Sequence, residues 1–450
     1  MALVVVLSGQ ALLGDLGAVP VRTQSSRHPL GVVGVEEDAA HERDVSATSL
    51  AGERVSLLAV TTSGLHLERT DENVDEIAAL AGLLGGAAGL DEVLDNLKYR
   101  ARRAVVPRRI GRAVSRAYAF DRYDQRDESW WPQGITNSSE ASDPEVIALD
   151  RNVVVLTWYS KAKMGSRVTF LDLDTLRYRH VLLVEPILGK DKRLRLEPVR
   201  IHAGGIVWCG PYLHIAATSR GFVTCRVDDI MRVDNDNEVP EKFGILDNGR
   251  VASYGHHFVL PVRFRYKAVS HDKREQLRYS FLSLDRSAEP PVIVAGEYGR
   301  GRQSTRLARF HLDASTRLLE TGEDGFSRPI AIDESGIRQM QGAVLVGGQY
   351  YVSVSRGPWA PGSMFVGSGT RMREHLFATP MGPEDLSYWP ETDTLWSVSE
   401  HPRRRWVYAM KRRRLERQRW LDKQGWVRDL PLHLERSWKR LIKGRFGRRG

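Results

Sequence analysis

The stretch Trp131-Pro132-Gln133-Gly134-Ile135 is the first clear copy of a short phrase that recurs along the chain. Each copy places a polar residue or glycine before Gly or Asp and an aliphatic residue. After a turn, a strand with small hydroxyl residues follows. The other clear copies are 202–206, 340–344 and 383–387. A repeated strand–turn–strand unit is typical of a β-propeller, whose blades commonly repeat at about 40–50 residues.

We therefore predict a mainly β protein with a five-bladed or six-bladed β-propeller over residues 115–410. The stretch 251–320 leaves the number of blades open, because its strands fit either one long blade or two short blades. The last unit, 384–410, shows only three clear strands, while the strand candidate Ala117–Phe120 precedes the first unit. We expect Ala117–Phe120 to supply the missing fourth strand, which would close the ring and remove an exposed sheet edge.

Residues 1–110 differ in pattern from the rest and predict a small α/β region that ends in a basic linker. A helical stretch runs from Asp71 to about Arg103, with Asp71 or Asn73 as its N-cap. The Gly85-Gly86 pair is expected to break this stretch into two helices.

The beginning of the chain favours a buried β-strand at Ala2–Leu7 over a secretory signal. No basic residue precedes this apolar run, and Asp15 soon interrupts it. No apolar run reaches the roughly 20 residues of a transmembrane helix, and the mean hydropathy of −0.36 is that of a soluble globular protein. These features favour a cytoplasmic or peripheral-membrane location over secretion.

Cys209 and Cys225 are the only cysteines, and the strand pattern argues against a disulfide between them. We expect them on the first and third strands of a meander, about 9–10 Å apart. This separation exceeds the Cα limit of about 7 Å for a bridge. Two buried thiols are therefore predicted.

The start of each innermost strand of a propeller faces the mouth of the central channel. By register, Gln133, Gly204, Gln341 and Glu384 are equivalent positions there. Three further candidates lie close to these positions in sequence: His202, His256 and Asp385. Two histidines and two carboxylates suit metal ligation or acid–base chemistry. The same residues equally suit hydrogen bonds to neighbouring blades and to channel water.

A second candidate cluster is the stretch Asp121–Trp131, which is dense in acidic and aromatic residues. Trp131 beside carboxylates suits sugar recognition, and Asp124 in an acidic loop suits Ca²⁺ or another divalent metal. The alternative is a capped, salt-bridged loop at the ring closure. Glu400-His401 follows the last second strand and is expected at the same end as Asp124.

The tail 411–450 changes abruptly to an Arg-rich composition with tryptophans at near-helical spacing. One interpretation is a basic amphipathic helix that binds an anionic membrane surface or nucleic acid. The other is a helix that packs on the propeller through its tryptophans and leaves the arginines in solvent.

Several of these motifs resemble a known group of proteins. The stretches are 120–125, 131–134, 202–208, 382–388 and 394–402. Together they resemble uncharacterised bacterial β-propeller proteins, which are mostly regarded as secreted. The last two stretches resemble, more remotely, the propellers called esterase-like phytase. The resemblance implies a propeller over about 118–410 and secretion, but no particular activity.

Two functions remain open at the level of sequence. The favoured one is a binding or scaffold module with an unknown ligand at the channel mouth, because no nucleophile–base spacing, P-loop or metal motif is found. The alternative is a hydrolase or lyase that acts on a sugar-bearing or phosphate-bearing substrate at the same mouth. Fold alone does not decide, because propellers host both kinds of function.

Overall fold

Antiparallel β-strands are the main regular element of the chain that the computed structural model describes. The described residues are 58–59, 64–141, 151–234, 241–273, 275–368 and 371–416. The predicted strand Ala2–Leu7 and residues 417–450 of the predicted basic tail lie outside them.

The regular elements of the described residues are, in chain order, the following. The α-helices are α1 (Val74–Leu84), α2 (Gly89–Asp95), α3 (Val106–Ile110), α4 (Arg122–Arg126) and α5 (Ser138–Ala141). The strands are β1 (Leu58–Ala59), β2 (Leu65–Arg69), β3 (Tyr99–Arg100), β4 (Arg102–Arg103), β5 (Val114–Ala119), β6 (Trp130–Asn137), β7 (Val153–Ser160), β8 (Ser166–Asp172), β9 (Arg177–Leu188), β10 (Leu194–Pro198), β11 (Ile206–Cys209), β12 (Tyr212–Ala216), β13 (Gly221–Arg226), β14 (Met231–Arg232), β15 (Phe243–Ile245), β16 (Val251–Ser253), β17 (Phe258–Ser270), β18 (Phe281–Asp285), β19 (Val292–Gly296), β20 (Arg306–His311), β21 (Phe326–Ser327), β22 (Ala331–Glu334), β23 (Met340–Val346), β24 (Gln349–Val354), β25 (Ser363–Ser368), β26 (Arg371–His375), β27 (Pro383–Trp389), β28 (Thr394–Ser399) and β29 (Trp406–Lys411).

The strands form sheets that follow one another along the chain. Their pairing is antiparallel except where β17 also pairs in parallel with β9, which joins two of the sheets into one 13-stranded sheet. Sheet I consists of β6–β9, sheet II of β11–β13 and β17, sheet III of β18–β20 and β22, sheet IV of β23–β26, and sheet V of β27–β29 and β5. The first strands contact one another in a cycle, in the order β6, β11, β18, β23, β27 and back to β6. A ring of sheets joined by their first strands is a β-propeller-like fold.

The ring closes through the pairing that the sequence predicted. Strand β5 pairs with β29, and Ala119 lies opposite Trp406 while Val114 lies opposite Met410. Strand β5 thus completes sheet V, whose other strands β27–β29 come much later in the chain. This confirms the predicted pairing of Ala117–Phe120 with the last strand of the ring.

The stretch 251–320 is divided differently from either prediction. Its long strand β17 pairs with β13 and completes sheet II, and the next sheet begins only at Phe281. The expectation of one long blade or two short blades within this stretch is therefore wrong. Strand β17 joins an earlier sheet because its backbone pairs with Gly221–Arg226, a long-range contact that local pattern does not reveal.

In three of its four clear copies the recurring phrase is a β-bulge in the first strand of a sheet, whereas the copy at 202–206 precedes β11. Pairing with the second strand shifts register between Pro132 and Ile135, between Met340 and Gly342, and between Pro383 and Leu386. A bulge leaves residues unpaired and re-aims their side chains. The polar residue of each phrase is therefore released from regular pairing at one end of the ring.

Glycine in the phrase permits close approach of neighbouring first strands. A Cβ atom on Gly134 would lie 2.9 Å from the carbonyl carbon of Gly205, and one on Gly342 would lie 2.5 Å from the backbone nitrogen of Leu386. Both separations are far below ordinary van der Waals contact. The glycines are thus required by the packing of one sheet against the next.

The small hydroxyl residues of the second strands also join adjacent sheets. Thr157 accepts a hydrogen bond from the Gly134 N–H at 2.7 Å and donates one to the Ala203 carbonyl at 2.6 Å. Ser353 donates to the Glu384 carbonyl at 3.0 Å. These bonds satisfy buried backbone groups that the bulges leave without a ladder partner.

Segment 64–113 lies against the outer strands of the ring. Strand β2 pairs with β17, and α1 contacts β9. Helix α1 ends as predicted at Gly85, whose φ of 86° suits a left-handed C-cap. Asn73 precedes the helix, but its side chain donates to the Val262 carbonyl instead of capping. The predicted helix does not reach Arg103, because Tyr99–Arg100 pairs with β9.

Both cysteines are buried, on the first and third strands of sheet II, as predicted. In the part of the chain that is described, no single helix is long and apolar enough to cross a membrane. Helices α1 and α2, which meet at an angle of 44°, reach the length and the apolar composition of a membrane span only when they are taken together.

Candidate functional site

Polar side chains converge where the bulges of the first strands open one end of the ring. We call the mouth cluster the set Gln133, Gln341, Glu384, Asp385 and Glu400. Gln133 lies on β6, Gln341 on β23, and Glu384 and Asp385 on β27, while Glu400 directly follows β28. Glu384 is only 3% exposed and Asp385 is fully buried.

Two carboxyl groups of the mouth cluster each receive a glutamine amide. The Gln133 Nε2 donates to Oε2 of Glu400 at 3.2 Å, and the Gln341 Nε2 donates to Oε1 of Glu384 at 3.4 Å. These bonds link sheet I to sheet V and sheet IV to sheet V. The bulge residues of two sheets thus position the two acidic side chains of a third.

Burial makes both acids weaker than usual. It raises the pKa of Glu400 to about 7, against the opposing Gln133 amide and the charges of Lys161 and Arg405. It also raises the pKa of Glu384 well above its usual value, and the nearby charges of Glu400 and Asp385 add to the effect. Both acids therefore hold a proton to higher pH than an ordinary glutamate, and in the protonated form each can donate as well as accept a hydrogen bond.

Asp385 lies beneath the mouth on the axis of the ring. Its Oδ2 accepts the backbone N–H groups of Ile135 and Ile206, each at 3.2 Å. Burial raises its pKa well above the usual value, although these hydrogen bonds oppose the shift. Its Oδ1 is buried and has no hydrogen-bond partner among the described residues. Asp385 thus joins three sheets.

Aromatic and basic side chains form the rim around the mouth cluster. The Trp131 ring meets the His401 ring edge-on, with centroids 5.7 Å apart, and the Lys161 Nζ lies 3.3 Å from the Trp131 centroid. The exposed His202 side chain lies on Tyr159, with ring centroids 4.7 Å apart. The rim therefore offers apolar ring surface beside hydrogen-bonding groups.

His401 beside Glu400 stays neutral at physiological pH. Its Nε2 lies 3.6 Å from Oε1 of Glu400. Burial lowers the pKa of His401 to about 4, and the positive charges of Arg404, Lys161 and Arg405 lower it further. A neutral imidazole next to a carboxyl group of raised pKa forms a polar contact without a full ion pair.

Six of the eight sequence-predicted site residues lie at the mouth and its rim: Trp131, Gln133, His202, Gln341, Glu384 and Asp385. The sequence pattern placed Glu400 at the same end as Asp124 and did not group it with the mouth residues, whereas its hydrogen bond with Gln133 places it in the mouth cluster. Tyr298 was also missed. Burial and the charges of Glu384 and Glu400 raise the pKa of Tyr298, which indicates that it lies beside them. Neither residue belongs to a recurring phrase.

His256 lies apart from the mouth. It precedes β17, the fourth and outer strand of sheet II, and its ring meets Trp130 edge-on at 5.6 Å. Its Nδ1 is 2.9 Å from the Ser253 carbonyl, and burial lowers its pKa to about 3. The expected convergence of His256 with the mouth residues is wrong, because the strand after it is not a first strand.

Asp124 lies in a buried network beside the mouth cluster, because Arg405 donates hydrogen bonds to the backbone carbonyls of both Asp124 and Glu400. Its carboxylate binds Arg167 and His180 at 3.0 Å each and the Tyr178 hydroxyl at 2.5 Å. Burial alone would raise its pKa, but His180, Arg167 and Tyr178 outweigh burial and hold the pKa well below the usual range. Both carboxylate oxygens are therefore already occupied by protein groups.

The Asp124 network is built into the closure of the ring. Asp121 caps α4 by accepting the Asp124 N–H at 2.9 Å. The Arg167 guanidinium lies between the rings of Trp130 and Trp158, at 4.5 and 4.7 Å from their centroids. This geometry corresponds to the capped, salt-bridged loop that the sequence offered as the alternative to a ligand site.

Among the residues that the structure describes, no group of three or more His, Cys, Asp or Glu side chains is arranged to hold a metal ion. The suggested Ca²⁺ or other divalent metal stays a prediction.

Neither a protein-family model nor a curated protein matches the sequence. Similar solved structures include hydrazine synthase of Kuenenia stuttgartiensis, at 11% identity and a TM-score of 0.27, with 60% of this chain and 74% of that chain covered. They also include the GH43_1 enzyme of Xanthomonas citri. Its xylotriose complex is 7% identical, with 63% of this chain and 88% of that chain covered. Its xylose complex is 9% identical, with 62% of this chain and 86% of that chain covered, and both have a TM-score of 0.27. Likeness at this level bears on neither fold nor function.

Proposed function

We propose that residues 115–410 form a five-bladed β-propeller that binds a neutral, hydroxyl-rich ligand of the carbohydrate class at its mouth. The blade number rests on the cycle of first strands and on its closure by β5. Within this proposal, residues 1–110 precede the propeller and the basic tail 411–450 follows it.

The observation that carries the ligand class is the pairing of two protonatable carboxyl groups with two amides at the bulged end of the ring, where Gln341 and Glu400 are partly exposed. Glu384 and Glu400 with Gln341 and Gln133 supply donors and acceptors that are nearly neutral overall. Sugar hydroxyls both donate and accept hydrogen bonds, and they present apolar faces that stack on rings such as Trp131. A phosphate-bearing ligand is disfavoured, because ionisation of any mouth carboxyl group would repel it.

Binding is favoured over hydrolysis by the protonation state of the two acids. A glycosidase of the usual kind keeps one carboxyl group protonated and its partner ionised. At the mouth, burial raises the pKa of both Glu384 and Glu400, so neither side chain is set apart as an ionised nucleophile or base. Hydrolysis of a sugar-bearing substrate remains the second candidate, because a Glu400 pKa of about 7 suits a general acid.

Calorimetric titration of the purified full chain tests the proposal. The probes are neutral oligosaccharides and the corresponding sugar phosphates, and 4-nitrophenyl glycosides report hydrolysis. We expect binding of at least one neutral oligosaccharide and a loss of about fivefold or more in affinity for Gln133→Ala, because each buried hydrogen bond to ligand contributes about 1 kcal/mol or more.

The matched control is Gln303→Ala, which removes an exposed glutamine outside the mouth. It is expected to leave affinity unchanged. Binding of sugar phosphates alone, or equal affinity in Gln133→Ala and the unsubstituted chain, would contradict the proposal. Turnover of a glycoside that is lost in Glu400→Gln would replace it by the hydrolase candidate.

A further inference from the structure

One strongly basic segment lies along the outer strands of the ring. Between Asn96 and Phe120 the chain contains Lys98 and seven arginines and no acidic residue. All of these basic side chains are exposed. We call them the arginine edge: Lys98, Arg100, Arg102, Arg103, Arg108, Arg109, Arg112 and Arg116.

The fold holds the arginine edge in a defined shape. Strand β3 pairs with β9 of sheet I, and β4 pairs with β5 of sheet V. After α3, the backbone N–H of Arg112 donates to the Phe377 carbonyl at 2.8 Å, next to sheet IV. The segment is therefore fixed to three sheets, and little conformational entropy is lost if its side chains meet a partner.

An exposed apolar pair lies in the middle of the arginine edge. Val105 is 57% exposed and Val106 is 53% exposed, although both are β-branched aliphatic residues that are usually buried. They lie between Arg102–Arg103 and Arg108–Arg109, while the adjacent Pro107 is buried in the first turn of α3. Apolar residues at the tip of a rigid basic turn are costly in water unless a partner covers them.

The charges of the arginine edge are not neutralised within the described part of the chain. No carboxylate there forms an ion pair with any of its eight basic residues. Three of them instead lie over aromatic rings: Lys98 over Tyr99, Arg112 over Phe377, and Arg116 over Trp396. The edge thus presents uncompensated positive charge around an apolar centre.

We propose that the arginine edge docks on an anionic lipid bilayer, with Val105 and Val106 entering the headgroup boundary. Basic residues attract anionic lipid headgroups over about a Debye length. The two valines add a short-range hydrophobic contribution to the binding free energy when they leave water for the headgroup boundary. Nucleic acid is the competing partner for a basic surface, but contact with a phosphate backbone gives two exposed valines no role. This inference does not depend on the ligand at the mouth.

Co-sedimentation of the full chain with vesicles tests this docking. The vesicles contain phosphatidylcholine alone or phosphatidylcholine with phosphatidylserine at about 7:3. We expect salt-sensitive partitioning onto the anionic vesicles only. Arg102→Gln/Arg103→Gln should weaken it roughly twentyfold, since each basic residue near the surface contributes about a fivefold change. Val105→Ser/Val106→Ser should weaken it severalfold.

Matched controls lie elsewhere on the surface. Lys190→Gln/Lys192→Gln removes two exposed charges, and Val74→Ser/Ile330→Ser removes two exposed aliphatic side chains. Neither control should change partitioning. Partitioning of the two edge variants equal to that of the unsubstituted chain would overturn the proposal. So would duplex DNA binding that depends on Arg102 and Arg103 without any vesicle binding.

Discussion

Asp385 on β27 accepts the backbone N–H of Ile206 on β11 at 3.2 Å, across 179 positions of sequence. The same oxygen accepts the N–H of Ile135 on β6 at 3.2 Å. One side chain therefore completes the hydrogen bonding of two other sheets at the axis of the ring. A carboxyl group in this place stabilises the ring as well as shaping the floor of the mouth.

Replacement of Asp385 by alanine should destabilise the protein by about 2–5 kcal/mol, because each buried N–H left without an acceptor costs about 1–3 kcal/mol. Asp385→Asn keeps an acceptor oxygen and should cost about 1 kcal/mol or less. Urea unfolding followed by tryptophan fluorescence measures both. Equal loss of stability in the two variants would show that the carboxyl group acts through its charge or volume instead of through its acceptor oxygen.

Glu400 should make stability depend on pH. Its folded-state pKa of about 7 lies above the ordinary value of 4.5, so the folded protein binds this proton more tightly than the unfolded chain. The contribution of Glu400 is therefore fully present below about pH 4 and is lost as the pH rises to about 7. The expected loss is about 1–3 kcal/mol.

The measurement for Glu400 is the free energy of unfolding at pH 5 and pH 8. Glu400→Gln should reduce the difference between the two pH values, since an amide does not titrate. The exposed Glu323 offers a control, and Glu323→Gln should leave the difference unchanged. An unaltered pH dependence in Glu400→Gln would contradict the burial argument.

Gly342→Ala should destabilise the protein by about 1–3 kcal/mol, the usual cost of overpacking a buried contact. Its Cβ would lie 2.5 Å from the Leu386 backbone nitrogen, and backbone atoms of a neighbouring sheet cannot move aside cheaply. Gly82→Ala in α1 is the matched substitution, because nothing lies within 4 Å of its Cβ position. It should stabilise the helix by about 0.5–1 kcal/mol. Thermal unfolding compares the two.

Asp124→Ala should destabilise the protein by about 3–5 kcal/mol, because Arg167 is buried and would lose its carboxylate. Ligand affinity at the mouth, measured in whatever fraction stays folded, should not change. Calorimetry at a temperature below the lowered Tm measures that affinity. A stable Asp124→Ala variant with impaired ligand binding would return Asp124 to the set of ligand-binding residues.

Deletion of 417–450 should lower partitioning onto anionic vesicles at low salt if the basic tail binds an anionic membrane, which is one of the two interpretations of its sequence. The deletion begins after Glu416 because Leu415 is buried and Arg414 donates to the Val114 carbonyl at 2.6 Å. Vesicle co-sedimentation of the two chains measures the effect. Equal partitioning of the full and the shortened chain would show that the tail does not contact the membrane. If the deletion instead weakens only binding to duplex DNA, nucleic acid is favoured as the partner of the tail.

The local part of the fold was predictable because it is encoded by short-range pattern. Alternating strands, tight turns and the phrase at Gln133-Gly134 indicated repeated sheets, and a missing fourth strand indicated closure by Ala117–Phe120. The repeated sheets follow from the steric and hydrogen-bonding needs of a few neighbouring residues, and closure follows from the need to cover the edge that three strands leave open. The glycine of the phrase could be recognised, although the structure was needed to show that it permits close approach of Gly205.

The placement of β17 and of His256 was decided only by the tertiary structure. Strand β17 completes a sheet begun about 50 residues earlier, and loop length costs little free energy, so sequence spacing does not specify such partners. His256 was assigned to the mouth because it precedes a strand. Which strand of a sheet faces the axis depends on pairing, and pairing is a property of the folded chain.

The sequence by itself determined that strands repeat, that glycine or aspartate interrupts the first strand of each unit, and that polar side chains stand beside those interruptions. Only the tertiary structure decided that Glu400 receives the Gln133 amide and that Asp385 serves three sheets. The physical reason is that these contacts join residues hundreds of positions apart. Burial then sets the pKa of the acids, and burial is a property of the assembled ring.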